Sequence, residues 1–160
     1  MRRLLARLLQ RPTRHGRVPG RAAQRAAGGE EIGYAPKADG RPDPGEVVWA
    51  WVAYEDDPRQ GKDRPVLVIG RRGPQLLGLM LTSKDHDRDA ADEARFGRHW
   101  MDVGSGGWDT RRRPSEVRLD RLLVLDPGGV RREGAALDRR TFDAVTNAAR
   151  PFLVRAPRGS

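Results

Sequence analysis

The sequence contains no cysteine, and only 6% of its residues are aromatic. The missing cysteine excludes disulfide bridges, thiolate zinc sites, iron–sulfur clusters and cysteine nucleophiles. Long apolar runs are also lacking, since the longest, Leu76 to Leu81, has the length of a strand. A membrane helix would need about 18–20 apolar residues. We therefore expect a cytoplasmic protein of about one domain, with no membrane span.

Charge is abundant but unevenly placed. The 160 residues include 31 Lys and Arg against 22 Asp and Glu, a net charge of +9. Residues 1–44 carry ten basic and four acidic side chains, whereas residues 45–150 carry nineteen and eighteen. A basic segment can neutralise the phosphates of a nucleic acid. Here that argument applies to the N-terminal arm, so composition alone does not make the rest of the chain a nucleic-acid binder.

Composition divides the chain into three parts. Residues 1–44 form a basic arm rich in Arg, Pro, Gly and Ala, which we expect to be largely disordered because few apolar groups offset the entropy of ordering it. Within the arm, leucines on one face predict a possible short amphipathic helix at residues 1–10. The folded domain is expected to span residues 45–150, and residues 151–160 to form a flexible tail.

Hydrophobic periodicity predicts the fold class. Alternation with a period of two indicates strands over residues 46–54 and 116–125, and short apolar runs indicate strands over 65–69 and 75–82, with a further short one near 99–103. A long polar loop is expected between residues 83 and 97. Asp138 is placed to cap a helix that runs to about Arg150. The predicted class is α+β, a small antiparallel barrel or curled sheet with a C-terminal helix.

Motifs for nucleotides and metals are incomplete in this chain. Gly61-Lys62 ends like a phosphate-binding loop, but Asp63 stands where Ser or Thr is needed. Gly104-Ser105-Gly106 lacks the third glycine of a dinucleotide fingerprint. The aspartates around His86 lack the glycine and glutamate of a calcium loop, and no nucleophile elbow supports a serine triad. The expectation is a protein without cofactor or metal.

Four segments in a fixed order carry a family resemblance. They are Gly45-Glu46-Val47-Val48, Arg64-Pro65-Val66-Leu67-Val68, Thr82-Ser83 and Arg113-Pro114-Ser115-Glu116-Val117. In this order and spacing, residues 45–150 resemble the MazF/PemK family of toxin endoribonucleases. The resemblance implies an SH3-like or CcdB-like barrel with a C-terminal helix that works as a homodimer. It also implies a cognate antitoxin partner, and operator DNA bound only through the antitoxin complex.

The chemistry that the resemblance implies is metal-independent cleavage of single-stranded RNA, such as mRNA, by its own ribose 2′-hydroxyl. The products are a 2′,3′-cyclic phosphate and a 5′-hydroxyl. Arg64 matches the family's catalytic arginine, and Thr82 matches the threonine that contacts the reacting phosphate. An arginine suits this role because its planar, permanently charged fork can donate two hydrogen bonds to phosphate oxygens.

Further RNA contacts are expected from Lys62, Ser83, His86 and Trp108. His86 could transfer a proton, since its ordinary pKa lies near working pH, and Trp108 could stack on a base. Trp49 and Trp51 are predicted to belong to the core. The carboxylates of residues 55–57, together with Asp63, lie close to Arg64 in the sequence, which is unfavourable beside a phosphate backbone.

Two other functions remain open at this point. One fold can carry several activities, and proteins of this fold include toxins directed at DNA gyrase. A gyrase-directed toxin is therefore one alternative. A catalytically silent module that binds protein or nucleic acid is the other alternative. RNA cleavage in EDTA that depends on Arg64 separates the enzyme from both.

Overall fold

The computed structural model describes residues 24–26, 30–37, 41–83, 90–131 and 135–153. Their strands are β1 (Gln24–Ala26), β2 (Glu30–Ile32), β3 (Val47–Ala53), β4 (Gly61–Arg72), β5 (Gln75–Thr82), β6 (Trp100–Gly104), β7 (Ser115–Arg118), β8 (Leu123–Leu125) and β9 (Val130–Arg131). The helices are α1 (Ala90–Arg95) and α2 (Arg139–Leu153), and a single 3₁₀ turn covers Pro127–Gly129.

The two longest strands form the centre of one antiparallel sheet. Its order is β1-β2-β4-β5-β7-β6, with β3 beside β4, β8 beside β5, and β9 beside β3. β4 pairs with β3 along its first half and with β2 at its far end, and β5 divides in the same way between β7 and β8. The predicted α+β class, an antiparallel sheet with a C-terminal helix, is confirmed.

Apolar side chains fill both faces of this sheet. On one face α2 packs Phe142 and Val145 against strand residues such as Leu67 and Leu79. The opposite face buries a second cluster: Val48, Ala50, Val52, Val66, Val68, Leu76, Met80 and Leu123. Burial of one such large side chain contributes about 1.5–3 kcal/mol, so both faces stabilise the sheet. The candidate site lies at the rim of this second cluster.

The prediction for Trp51 is wrong. Trp51 is 52% exposed, whereas Trp49 is half-buried and donates its indole N–H to the Trp108 carbonyl at 3.0 Å. Trp51 lies opposite Asp63 near the loop that joins β3 to β4, beyond the packed layer. There its ring covers Gly61, where an added Cβ would lie 2.5 Å from the ring.

The predicted strand over residues 116–125 is two strands with different partners. β7 pairs with the Thr82 end of β5, and β8 pairs with residues near its other end. The chain between them turns at Asp120, whose carboxylate accepts the His99 backbone N–H at 2.7 Å. Three positions separate Leu81 from Gly78 on β5, but six separate Val117 from Leu123, so the chain leaves the ladder between β7 and β8 and the alternating apolar pattern conceals this break.

The C-terminal helix begins as predicted. The Asp138 carboxylate accepts the Thr141 backbone N–H at 2.9 Å and its hydroxyl at 2.7 Å, which satisfies a free donor of the first turn. These bonds lower the pKa of Asp138, the side-chain bond most strongly. The helix runs to Leu153, three residues beyond the expected end and into the predicted tail. In the part of the chain that the structure describes, no helix is long and apolar enough to cross a membrane.

The folded domain begins earlier than predicted. β2 pairs with the end of β4, and the Tyr34 hydroxyl donates to the Leu137 carbonyl at 2.8 Å. This pairing needs a glycine at position 70, because an added Cβ would lie 2.1 Å from the Glu31 carbonyl oxygen. Part of the segment expected to be disordered is therefore packed on the sheet. The possible helix at residues 1–10 and the chain end beyond residue 153 lie outside the described residues.

Candidate functional site

Arg64 and Thr82 lie at the adjoining ends of two central strands. The ladder between β4 and β5 reaches the pair Val66 and Met80. Arg64 precedes Val66 by two residues and Thr82 follows Met80 by two, so both continue the same register. Because side chains alternate along a strand, both lie on the face of Val66 and Met80, at the rim of the second apolar cluster. Both side chains are half-buried.

Lys62 shares this face, since it lies two residues before Arg64 on β4 and opposite Val52 of the second cluster. Its side chain is exposed. Ser83 directly follows Thr82 and is also exposed. The structure thus brings Lys62, Arg64, Thr82 and Ser83 to one end of the sheet. His86 lies outside the described residues, and its role as a proton carrier stays a prediction.

Trp108 is not available for stacking. The residue is only 4% exposed, and its indole N–H donates to the Ser115 hydroxyl at 3.1 Å. Its ring packs against Gly106, where an added Cβ would lie 2.2 Å from the ring. A ring enclosed in this way presents no face to an RNA base, so the expected stacking role of Trp108 is corrected. It is a core residue that supports the loop before β7.

The acidic residues near Arg64 are mostly engaged elsewhere. Asp63 is on the opposite face of β4 from Arg64 and forms an ion pair with Arg131 at 2.9 Å. Asp57 accepts hydrogen bonds from the backbone and side chain of Arg59. Glu55 bonds to Arg118 through both of its oxygens. The carboxylates adjacent in sequence therefore do not form ion pairs with Arg64.

Arg118 is a functional candidate that the sequence did not reveal. Its side chain is only 6% exposed, and its guanidinium donates to Asp120 at 2.8 Å and to Glu55. Burial acts to lower the pKa of Arg118, but the hydrogen bonds to Asp120 and Glu55 outweigh it and raise the pKa. The network ties the loop after β3 to β7, and so fixes the chain that leads into β4. An alternating strand pattern gives no sign that a charged residue at this position is buried.

Arg121 is a second candidate that no sequence motif indicates. It follows β7 and reaches across the sheet, where its Nη2 donates to the Ala53 carbonyl at 2.7 Å and its Nη1 lies 4.0 Å from the Met80 sulfur. Burial lowers the pKa of Arg121, and the positive charges of Arg118 and Arg64 lower it further, against the opposing effect of Glu55. Since Met80 is paired with Val66, two residues from Arg64, the contact with Met80 places Arg121 on the same face and near the same end of the sheet as Arg64.

The described residues include no group of three or more His, Asp and Glu side chains that could hold a metal ion. At the candidate site, Arg64 and Arg121 have no carboxylate at ion-pair distance within the described part of the chain. A sheet end with two such cations and the Thr82 hydroxyl is chemically suited to an anion with several oxygens.

Comparisons with known proteins place this chain in a family. Residues 43–153 match the family described as PemK-like, MazF-like toxin of type II toxin-antitoxin system. Because the match covers more than half of the sequence, the protein belongs to this toxin family, as the motif order predicted. A crystal structure of MazE-MazF from Deinococcus radiodurans is similar at 18% identity and a TM-score of 0.46, covering 74% of this chain and 100% of that chain. A search of curated proteins finds no match.

Proposed function

We propose that this toxin is an endoribonuclease that cleaves single-stranded RNA, such as mRNA, without a metal ion. The observation that carries the proposal is the placement of Arg64 and Thr82 on one face, at the adjoining ends of β4 and β5. Rigid neighbouring strands hold two side chains at a constant separation, which a reaction at one phosphate requires. Lys62, on the same face, adds positive charge for the RNA backbone.

The reaction needs little from the protein beyond positioning and charge. The ribose 2′-oxygen attacks the adjacent phosphorus, the bond to the 5′-oxygen breaks, and a 2′,3′-cyclic phosphate and a 5′-hydroxyl form. The 2′-hydroxyl gives up one proton and the leaving oxygen takes up one, so no oxidant or co-reactant is consumed. Arg64 stabilises the negative charge that builds on the non-bridging oxygens, and the Thr82 hydroxyl orients the phosphate.

The biological setting follows from the toxin family. We propose a cytoplasmic homodimer that a cognate antitoxin holds inactive, and that meets operator DNA only in complex with this antitoxin. The positions of Asp63 and Glu55 support an active site, because both carboxylates are engaged by arginines other than Arg64. Light scattering of the purified chain tests the dimer.

The test of the activity is RNA cleavage in EDTA with the wild type, Arg64→Ala, Thr82→Val and a control, Arg140→Ala. Arg140 is an exposed arginine on α2, and this helix packs on the face of the sheet opposite to the one that carries Arg64. We expect cyclic-phosphate ends from the wild type and the control. Loss of a transition-state donor costs about 10²–10³-fold in rate, so both site variants should fall by that order.

Three outcomes would contradict the proposal. A folded wild type that cleaves no RNA across diverse single strands, yet inhibits DNA supercoiling, would favour a gyrase-directed toxin. RNA binding with no turnover would favour a silent binding module. Cleavage that persists in Arg64→Ala would mean that the protein is a ribonuclease whose active site does not include Arg64.

A further inference from the structure

Arg121 lies beside the proposed catalytic pair, Arg64 and Thr82, and the proposed reaction gives it no role. This residue lies between β7 and β8, yet its guanidinium contacts the last residue of β3 and the Met80 side chain of β5. Met80 is paired with Val66, so these contacts place the guanidinium over the sheet next to the ends that carry Arg64 and Thr82. The sulfur of Met80 is a weak acceptor. Most of the five N–H donors of Arg121 have no strong partner in the described residues.

The charges around Arg121 are unbalanced. The two carboxylates that act on it electrostatically, Glu55 and Asp120, are both hydrogen-bonded to Arg118. Arg64 acts on it with the same sign of charge. A half-buried cation beside another cation is unfavourable unless an anion joins them. The protein keeps this arrangement on a rim of the sheet that is open at Lys62 and Ser83.

We propose that Arg121 is a second phosphate-binding arginine, which with Arg64 clamps the reacting phosphodiester of RNA. This inference rests on the proposed ribonuclease function and adds a residue to it. Two forks on one phosphate can contact both non-bridging oxygens, whereas one fork leaves part of the developing charge uncompensated. Bound phosphate also relieves the repulsion between the two guanidinium groups.

Arg118 has a different part in this arrangement. Because its side chain is almost fully buried and bonded to two carboxylates, it is not available to RNA. It withdraws Glu55 and Asp120 from Arg121 and holds the loop that starts beside Ala53, the acceptor of the Arg121 bond. Arg118 is thus a positioning residue, and Arg121 is the one that touches the substrate.

The experiment measures binding apart from cleavage. The probe is a single-stranded oligonucleotide with 2′-deoxyribose at every position, which lacks the attacking hydroxyl. Its affinity is determined at several salt concentrations for the wild type, Arg121→Met, Arg121→Lys and the control Arg140→Met. Methionine keeps an unbranched apolar stem, and lysine keeps the charge but not the fork.

If Arg121 binds a phosphate, Arg121→Met weakens binding of the probe and reduces the slope of log affinity against log salt by about 0.7, the value for one phosphate contact to a single strand. Arg121→Lys restores the slope, and its rate of RNA cleavage falls by about tenfold or more because the fork is lost. The Arg140→Met control behaves as the wild type. Thermal unfolding in phosphate-free buffer confirms that each variant is folded, and added phosphate should raise the Tm of the wild type more than that of Arg121→Met.

The results separate the two proposals. If folded Arg121→Met binds the probe with the affinity and salt slope of Arg140→Met, the clamp is refuted, even where Arg64→Ala abolishes cleavage. If the wild type cleaves no RNA, yet Arg121→Met binds the probe more weakly and with a smaller salt slope than the wild type, the anion site stands and the ribonuclease function fails. If Arg121→Met does not fold, Arg121→Lys decides, since an unchanged cleavage rate in that variant overturns the role of the fork.

Discussion

The ion-pair network of Arg118 allows a stability prediction with a worked magnitude. Removing one partner of a buried ion pair costs about 3–5 kcal/mol, because the remaining charge stays buried without compensation. In Arg118→Met, Asp120 keeps the His99 N–H as a donor at 2.7 Å, and the Glu55 side chain, 50% exposed, regains water. Both features reduce the loss, so we expect a decrease in the free energy of unfolding near the lower limit, about 3 kcal/mol.

Urea unfolding monitored by tryptophan fluorescence measures this loss. With an m-value of about 2 kcal/mol per M, a loss of about 3 kcal/mol lowers the midpoint by about 1.5 M. The matched control is Arg98→Met, which breaks the ion pair with Glu93. The Arg98 side chain is 38% exposed, so water screens this ion pair and the change should lower the urea midpoint far less than Arg118→Met does. Equal midpoints for Arg118→Met and Arg98→Met would refute the argument that burial makes the Arg118 network strong.

Two further predictions concern a corrected residue and a cap. Trp108→Phe removes the hydrogen bond to Ser115 from a side chain that is only 4% exposed. In urea titration it should lower the free energy of unfolding by about 1–2 kcal/mol, and it should leave oligonucleotide affinity unchanged. Weaker oligonucleotide binding by a folded variant would restore a stacking role for Trp108. Asp138→Ala removes the α2 cap and should lower the Tm at neutral pH. The Thr141 bonds hold the pKa of Asp138 below its ordinary 3.8, so the carboxylate stabilises the fold above that pH and the difference in Tm should close as pH falls below it; a difference that persists in strong acid would contradict this.

Local sequence patterns account for much of the fold. The apolar run within residues 75–82 predicts β5 at its observed bounds, and Asp138 before a 3.6-residue apolar stripe predicts the start of α2. Such signals survive in a single sequence because they depend on neighbours within a few positions. The order of the segments around Arg64 and Thr82 was likewise enough to predict the toxin family.

Other features depended on partners far away in the chain. The pattern over residues 116–125 is that of one strand, but its pairing with β5 is interrupted because six positions separate Val117 from Leu123 where three separate their partners Leu81 and Gly78. The apolar content of residues 30–37 is too low to predict a strand, and the segment is ordered because Gly70 and Leu137 provide its partners. Trp51 is exposed and Trp108 is buried for the same reason, since distant residues decide whether each ring is covered: Trp108 packs in the loop before β7 and bonds to Ser115, whereas Trp51 lies at the edge of the packed layer.

At the candidate site, the order of the motifs along the chain was enough to single out Arg64 and Thr82 at the ends of β4 and β5. Sheet pairing was needed to show that both lie on one face, that Asp63 points away from them, and that Arg121 joins them across the sheet. These relations escape the sequence because charge interactions act through space. A carboxylate next to Arg64 in the chain is turned to the other face by strand alternation, whereas an arginine 57 positions away comes close through sheet pairing.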